Sequence, residues 1–325
     1  MLCYRLHFTA PFHIDSRGDA FHERSETFIH SDTLSAALLS AWALLEPDRV
    51  AERAEQPPFS LSSAFPFYKD HYGQYHYFLP RALNTQAVQL PKERLQDAKK
   101  IKKLQWLEVA LWRKTFTAEW LTGKTPLPDI KQGCLAFAKQ THLRALWAEE
   151  ERPRLAIDRL TNATLDGQLF HLSRIWFDQD GGLYFLAKPF AKPAEQAAFE
   201  AALSLLGDSG IGADRSNGNG FFKWEHGQNP GLRLAKADDR AVALSLISPD
   251  IDKDCRPDWL EKSAYKLVSR GGWIGQSGLR KKRLRMFAEG SVFKRPLQGQ
   301  VVDITPENAP NKVCRDGRGF FVQAG

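Results

Sequence analysis

The sequence predicts an α+β chain built from two ferredoxin-like (RRM-like) domains, the first carrying a helical insertion. Three observations lead there. Between residues 2 and 226 the apolar periodicity reads strand, helix, strand, strand, helix, strand around a basic, Trp-rich stretch. A second apolar run at 241–247 opens another round. The same G-x-G-F-F pattern closes both halves, as Gly218-Asn219-Gly220-Phe221-Phe222 and as Gly317-Arg318-Gly319-Phe320-Phe321. The expected division is residues 1–230, with the insertion at about 84–151, and residues 231–325.

Each element has its own local reason. In LCYRLHF, Leu2, Tyr4, Leu6 and Phe8 alternate onto one strand face. SDTLSAALLSAWALLEP follows with Leu34, Leu38, Ala41 and Leu45 at helical spacing, Ser31 as N-cap and Pro47 as the stop. FSLSSAFPFYKDHYGQYHYFLP reads as a hairpin turning near Lys69–Gly73. The stretch from Asn84 to Glu151, with Trp106, Trp112, Trp120 and Trp147, is expected to be helical and packed on the sheet. RLAIDRLTNATLDGQLFHLSRIWF returns to strand pattern, with Asp166-Gly167 as its turn signal. LYFLA at 183–187 is a strand, Pro193 begins a helix that stops at Gly207, and FFKWE is the closing strand. In the second half, AVALSLI is a strand, PDWLEKSAYKLVS from Pro257 a helix, and KRLRMFAEGSVF further strand.

Composition narrows the class. With 43% hydrophobic and 26% charged residues, the chain has the make-up of an ordinary soluble protein. No apolar run approaches the roughly 20 residues that span a bilayer. MLCYRLHFTAPFHID lacks the basic start and apolar block of a signal peptide, so a cytoplasmic protein without membrane contact is expected. Cys3, Cys134, Cys255 and Cys314 form no C-x-x-C pair, which argues against a zinc knuckle or a disulfide framework. The formal charge of +7 is concentrated. Between Arg270 and Arg295 lie Arg270, Arg280, Lys281, Lys282, Arg283, Arg285, Lys294 and Arg295, against Glu289 alone. Lys92, Arg94, Lys99, Lys100, Lys102 and Lys103 form a second block. Two such runs, one interleaved with Trp273 and Phe287, point to a polyanionic partner such as nucleic acid.

The stretch GDSGIGADRSNGNGFF (207–222) joins a helix to a strand. Its Gly-Asp-Ser-Gly start lacks the rest of a trypsin-like nucleophile turn. It carries no G-K-[ST] for a Walker loop, and a dinucleotide fingerprint needs the reverse order of strand and helix. Two readings stay open: a flexible linker, or a clamp in which glycines bring backbone amides against a ribose-phosphate chain. In the clamp, Gly218 and Gly220 make room for RNA, while Arg215, Ser216 and Asn217 donate to it.

That loop resembles the glycine-rich signature of the RAMP superfamily of CRISPR proteins. HSDTLSAALLSAWALL, FSLSSAFPFYKDHYGQYHYFLPRAL, KKIKKLQWL, DRLTNATLDGQLFHLSRIWF and RGGWIGQSGLRKKRLRMFAEGSVF are similar to one branch of it. That branch is the type III-A (Csm-type) effector subunit that holds the 5′ end of the guide RNA. The resemblance implies a non-catalytic scaffold with no cofactor and no metal. It would anchor the single-stranded 5′ tag of crRNA, dock the large polymerase-like subunit, and pack on a backbone RAMP subunit. It also implies site residues. Gly210, Gly212, Arg215, Ser216, Asn217, Gly218 and Gly220 would line the tag path. Ser31 and Thr33 would offer helix N-terminal amides, Arg159 a hairpin cation, and Arg280, Lys281, Lys282, Arg283 and Arg285 a second basic wall. The loop departs from the pattern at Ala213-Asp214, where a further glycine and an acid are expected.

The alternative is a metal-independent endoribonuclease that processes precursor crRNA, which some relatives on this fold are. Such an enzyme needs a general base or acid, usually histidine, placed beside a 2′-hydroxyl. Of the nine histidines, His13, His22 and His30 form the first cluster to test. Asp250, Asp252 and Asp254 alternate on what reads as a solvated turn.

Overall fold

The computed structural model describes residues 1–15, 22–83, 90, 92, 95–114, 119–155, 157–165, 169–255, 258–275 and 277–324. The chain opens with β1 (Leu2–Phe8), α1 (Ser31–Leu45), the short α2 (Val50–Glu55) and the hairpin β2 (Phe65–Lys69) and β3 (Tyr75–Pro80). Next come α3 (Leu95–Lys103), β4 (Trp106–Glu108), the one-turn α4 (Val109–Trp112), β5 (Asp129–Lys131) and β6 (Leu135–Phe137). A long hairpin, β7 (Trp147–Arg154) and β8 (Phe170–Phe177), precedes β9 (Gly181–Ala187), α5 (Pro193–Ser209) and β10 (Phe222–Gly227). The remainder supplies β11 (Ala241–Ala243), α6 (Ile251–Asp254), β12 (Leu267–Arg270) and β13 (Leu284–Phe287). It ends with β14 (Val292–Phe293), β15 (Gly299–Asp303), β16 (Cys314–Arg318) and β17 (Phe321–Gln323).

The main sheet has the order β10-β1-β9-β2-β3-β4-β6-β5. Its first four members are antiparallel neighbours, with Leu6 opposite Trp224, Tyr4 opposite Phe185 and Phe65 opposite Tyr184. Apart from the β3–β8 segment, these four strands alternate with α1 and α5 in the order read from the sequence. The alternation of β1 has a physical outcome on both faces. Tyr4 and Leu6 bury against Leu38, Trp42, Phe199 and Leu203 of the two helices, while Cys3 enters a second core on the opposite face. That second core also takes Val242, Leu244, Val292, Phe320 and Val322, so both halves of the chain share it.

Three expectations change here. Residues 84–151 are not a helical insertion: among the described residues only Leu95–Lys103 makes more than about one turn of α-helix. Trp106, Leu107 and Phe137 are buried, so their segments lengthen the sheet, β4 against β3 and β6 parallel to β4. WAEEERPR is likewise a strand, paired along its length with β8. The helix expected from Pro257 is absent among the described residues, because Ala264 pairs in extended form with Val292 and tertiary pairing overrides the helical pattern. The C-terminal part is therefore a three-stranded sheet, β14-β11-β17, with two separate hairpin pairs, β12-β13 and β15-β16. The Asp166-Gly167 turn lies outside the described residues.

The repeated G-x-G-F-F motif also divides. Gly218 and Gly220 have φ of +83° and +80°, whereas Gly317 and Gly319 have no left-handed φ. Gly317 lies inside β16. Common to both are the entry of the second Phe into a strand and a second glycine whose Cβ would meet a carbonyl oxygen, Ile211 O at 2.0 Å and Leu297 O at 2.3 Å.

Candidate nucleic-acid interface

α5 buries Phe199, Ala202, Leu203 and Leu206 at helical spacing, and runs beyond the expected stop at Gly207. Gly207 lies within the helix, and the position takes glycine because a Cβ there would come within 2.5 Å of the Phe222 carbonyl oxygen of β10. The helix stops at Gly210, whose φ of +78° closes it and whose N–H donates to the Leu206 carbonyl oxygen. The chain then folds back on itself. Ile211 N donates to Gly220 O, Gly220 N to Pro11 O, and Ala213 N to His13 O, at 2.7–3.0 Å.

Asp214 is the hub of this loop. It sits in the left-handed region, at φ 60° and ψ 30°. Its carboxylate accepts from Arg154 of β7, from Asn217 and from Asn219. Asn219 is buried and accepts from Arg174 of β8, and Arg174 also donates to Glu150 at 2.7 Å. Hydrogen bonds from Trp176 and Arg152, with Arg174 beside them, hold the Glu150 carboxyl down at about 2. The glycine loop and the β7–β8 hairpin are thus cross-linked into one polar unit. A flexible linker would not carry these bonds.

The expected RNA-contacting residues separate into two groups. Gly210, Gly212 and Gly220 serve chain packing: a Cβ on them would lie 2.5, 2.3 and 2.0 Å from the carbonyl oxygens of Asn219, His13 and Ile211. Gly220 therefore does not make room for RNA, contrary to the sequence expectation. Gly218 has a left-handed φ and open space for 4 Å around the point a Cβ would occupy, so only its conformation requires glycine. Arg215, Ser216 and Asn217 form an exposed turn beside it. Arg159 is exposed in the turn region between β7 and β8, where Asp158 accepts from Leu160 N and Thr161 Oγ1.

Ser31 and Thr33 belong to a different environment. The N-cap of α1 is His30, not Ser31. Ser31 is buried, its N–H donating to Ser63 Oγ and its Oγ accepting from Leu246 N. Thr33 Oγ1 accepts from Arg270 at 2.8 Å. The helix start is occupied by the buried carboxylate of Asp32, which Arg270 grips with two bonds of 3.0 Å and Arg315 with another. Burial alone would raise the Asp32 carboxyl, but Arg270 and Arg315 outweigh it and hold it well below the usual range. Beside it His30 Nδ1 lies 2.8 Å from Glu289, which also accepts from Ser63. With an anion already seated there, this helix start is not an open phosphate site.

The basic window is correspondingly thinner than its charge count. Arg280 stacks over Trp273 at 4.6 Å, and Lys282, Arg283 and Arg285 are exposed. Lys281 is half-buried, its amine lowered by burial and by Arg315. In the second block Lys92, Lys99, Lys100, Lys102 and Lys103 are exposed, and Arg94 lies outside the described residues.

The histidine cluster is only partly assembled. His13 is buried with Nδ1 2.7 Å from Ser173 O, and its ring lies 5.9 Å from that of His22. His30 is engaged instead by Glu289. Asp254 is not solvated, since it is buried and accepts from Asp250, Gln298 and Gly299 amides. Among the described residues no group of three or more His, Cys, Asp or Glu is arranged to hold a metal ion. Among them, too, no helix is long and apolar enough to cross a membrane. Sequence reasoning missed Asp214, Arg154, Arg174, Asp32 and Arg315. The one available signal was Glu289, a lone acid in a cationic window.

Comparisons with known proteins agree along the chain. Residues 37–213 match the family model described as CRISPR-associated protein (Cas_Cmr3), and residues 236–324 match the CRISPR Csm4 C-terminal domain. A Csm4 protein of Streptococcus thermophilus is 26% identical over 313 residues, covering 91% of each chain. One from Thermococcus onnurineus is 25% identical, covering 72% of this chain and 70% of its own. Among solved structures, a chain of a Csm3–Csm4 subcomplex from a type III-A CRISPR-Cas interference complex superposes with a TM-score of 0.65 at 18% identity. The superposition covers 99% of both chains. A chain of a Csm1–Csm4 cassette bound to AMPPNP gives 0.57 at 18% identity, covering 99% of this chain and 96% of its own. At that identity the likeness concerns the fold alone.

Proposed function

The chain belongs to the Cmr3-type CRISPR-associated proteins, in the Csm4 family, and on that premise we propose that it is a non-catalytic RNA-binding scaffold of a type III-A effector complex. In this reading it anchors the 5′ repeat-derived tag of crRNA, docks the large polymerase-like subunit, and packs on a backbone RAMP subunit. The latter two roles are supported by relatives crystallised as Csm1–Csm4 and Csm3–Csm4 assemblies. Its two ferredoxin-like units would divide near residue 230, beside the start of the C-terminal family match at 236. Among the described residues the second unit lacks the expected helix.

The observation that carries the reading is the exposed Arg215-Ser216-Asn217 turn, held on Asp214 and cross-linked to the hairpin that bears Arg159. A fixed turn presents its donors to a phosphate chain without first being ordered, so less binding energy is lost to entropy. The remaining contacts would come from Arg280, Lys282, Arg283 and Arg285. The endoribonuclease alternative loses support because His30 is committed to Glu289, which leaves His13 and His22 as the paired rings.

The test uses full-length protein and a synthetic RNA carrying the repeat-derived tag. Arg215→Ala/Arg159→Ala should weaken tag binding, while the wild type leaves precursor RNA intact with or without magnesium or manganese. Cleavage that disappears in His13→Ala or His22→Ala would restore the nuclease reading.

A further inference from the structure

The Asp214 carboxylate stands at the foot of the Arg215–Asn217 turn, where the RNA-binding reading above brings a phosphate. It serves the shape of the loop. Its Oδ1 accepts from the Asn217 side-chain amide and its Oδ2 from that of Asn219 at 3.1 Å, which ties the far end of the turn back to its start. Both of those donors are neutral, so they leave the negative charge in place. A fixed anion beside a phosphate path works against binding. Two like charges about 7 Å apart near a protein surface repel strongly enough to lower affinity about tenfold.

Among the described residues, Arg154 of β7 is the cation paired with this carboxylate, donating to the same Oδ2 that takes Asn219. The neighbouring arginines are committed elsewhere. Arg174 is buried, with Glu150 at 2.7 Å and Asn219 Oδ1 at 3.2 Å, and Arg152 reaches Glu150 at 2.9 Å. These two answer the charge of Glu150. Arg215 is exposed on the turn and is the cation that the reading above gives to RNA. The Arg154 and Asp214 side chains are 31% and 19% exposed, so the pair borders solvent and an approaching strand feels its net charge.

We propose that Arg154 is a positioning residue for RNA: without touching the strand, it cancels the charge of Asp214, so that a phosphate can settle on the Arg215–Asn217 turn. The loop keeps the carboxylate that its shape requires and avoids the repulsion that a bare carboxylate would bring. The proposal rests on the RNA-binding reading above. It adds a residue that lies in neither the glycine motif nor the basic windows.

The test is a double-mutant cycle read by fluorescence anisotropy, with full-length protein and a synthetic single-stranded RNA carrying the repeat-derived tag. Arg154→Ala leaves Asp214 bare and should weaken binding about tenfold. Asp214→Asn removes the charge but keeps a side chain that tolerates the left-handed backbone and a carbonyl for Asn217. Arg154→Ala/Asp214→Asn should therefore return to within about threefold of the wild type. Arg154→Lys, which keeps the charge, should bind close to the wild type. Arg154→Gln, which keeps a donor without charge, should bind as weakly as Arg154→Ala. The Lys and Gln variants serve if Arg154→Ala does not fold. A double variant no better than Arg154→Ala overturns the proposal, as it would if Arg154 gripped a phosphate itself or only fastened the loop to β7. Equal binding by Arg154→Lys and Arg154→Gln overturns it as well. If the wild type does not bind the tag RNA, the RNA-binding reading fails and the proposal with it, whereas absence of rescue leaves that reading standing.

Discussion

Two glycines two residues apart should respond differently to the same methyl group. Gly218 has φ +83° and ψ 19°, and nothing within 4 Å of where a Cβ would stand. Gly218→Ala therefore costs only the left-handed conformation, about 1–2 kcal/mol. Gly220, at φ +80°, bears the same conformational cost and adds contacts of 2.0 Å to Ile211 O and 2.7 Å to Ile211 N. These are backbone atoms and cannot rotate away. Relief requires parting the strands of the loop, which breaks Ile211 N–H to Gly220 O and Gly220 N–H to Pro11 O. Each bond contributes about 0.5–1.5 kcal/mol net. Gly220→Ala should thus cost about 2–5 kcal/mol. At about 2–4 °C per kcal/mol, the melting temperature should fall by a few degrees for Gly218→Ala and by about ten for Gly220→Ala. Thermal melts followed by circular dichroism, beside tag-RNA titrations, read both effects. Equal melting shifts would refute the packing argument. A Gly218→Ala protein that melts near wild type yet loses the tag would show that the Cα of residue 218 lies against RNA, since its N–H is donated to Arg215 O.

Three further outcomes follow from the polar networks. Asp32→Ala leaves Arg270 and Arg315 buried without their carboxylate, and should destabilise by about 3–5 kcal/mol in a denaturant titration. Because the Asp32 carboxyl is depressed, its stabilisation is present above the unfolded value of about 3.9 and is lost as pH falls below it. The gap between wild type and Asp32→Asn should therefore narrow in acid. His76 runs the other way: hydrogen bonds to Glu108 first, and to Asp70, raise it. Its contribution is full below the unfolded value of about 6.5 and is lost as pH rises through the folded one, so His76→Gln should differ from wild type at about pH 6 and converge with it at alkaline pH. Asp214→Ala should speed amide exchange across 211–219 with little change in global stability, because it unties the loop from Arg154, Asn217 and Asn219 without touching the core.

Some of this was legible in the sequence because it was periodic. The alternation in β1 and the helical spacing of Phe199, Leu203 and Leu206 located the strands and helix that carry the glycine loop. What was not legible depended on partners distant in the chain. Trp106 and Leu107 lie just past a basic helical stretch, and pairing with Leu79 and Pro80 of β3 on one side and with Leu135 and Ala136 of β6 on the other makes them a strand. Asp214 drew no role from the sequence, since nothing local announces Arg154, 60 residues away. Asp32 read as an ordinary first-turn acid, although its two arginines come from 238 and 283 residues downstream.

The same distinction governs how charge should be counted for binding. The window from Arg270 to Arg295 holds eight cations, and at about 0.7 per phosphate contact they would give a salt slope of roughly 5 to 6 for a single strand. The fold withdraws several of them. Arg270 is sealed against Asp32, Lys294 pairs with Asp258, Lys281 is half-buried beside Arg315, and Arg295 is half-buried with one guanidinium nitrogen out of reach of solvent. Arg280, Lys282, Arg283 and Arg285 remain on the hairpin surface, so the window should contribute a slope of about 3 at most. Replacing Lys282, Arg283 and Arg285 together by Ala should lower the measured slope by about 2. Lys281→Ala alone should leave it nearly unchanged while lowering stability slightly. If Lys281→Ala lowers the slope as much as Lys282→Ala does, the hairpin opens on binding, and the charges that count are those of the sequence rather than those of the folded surface.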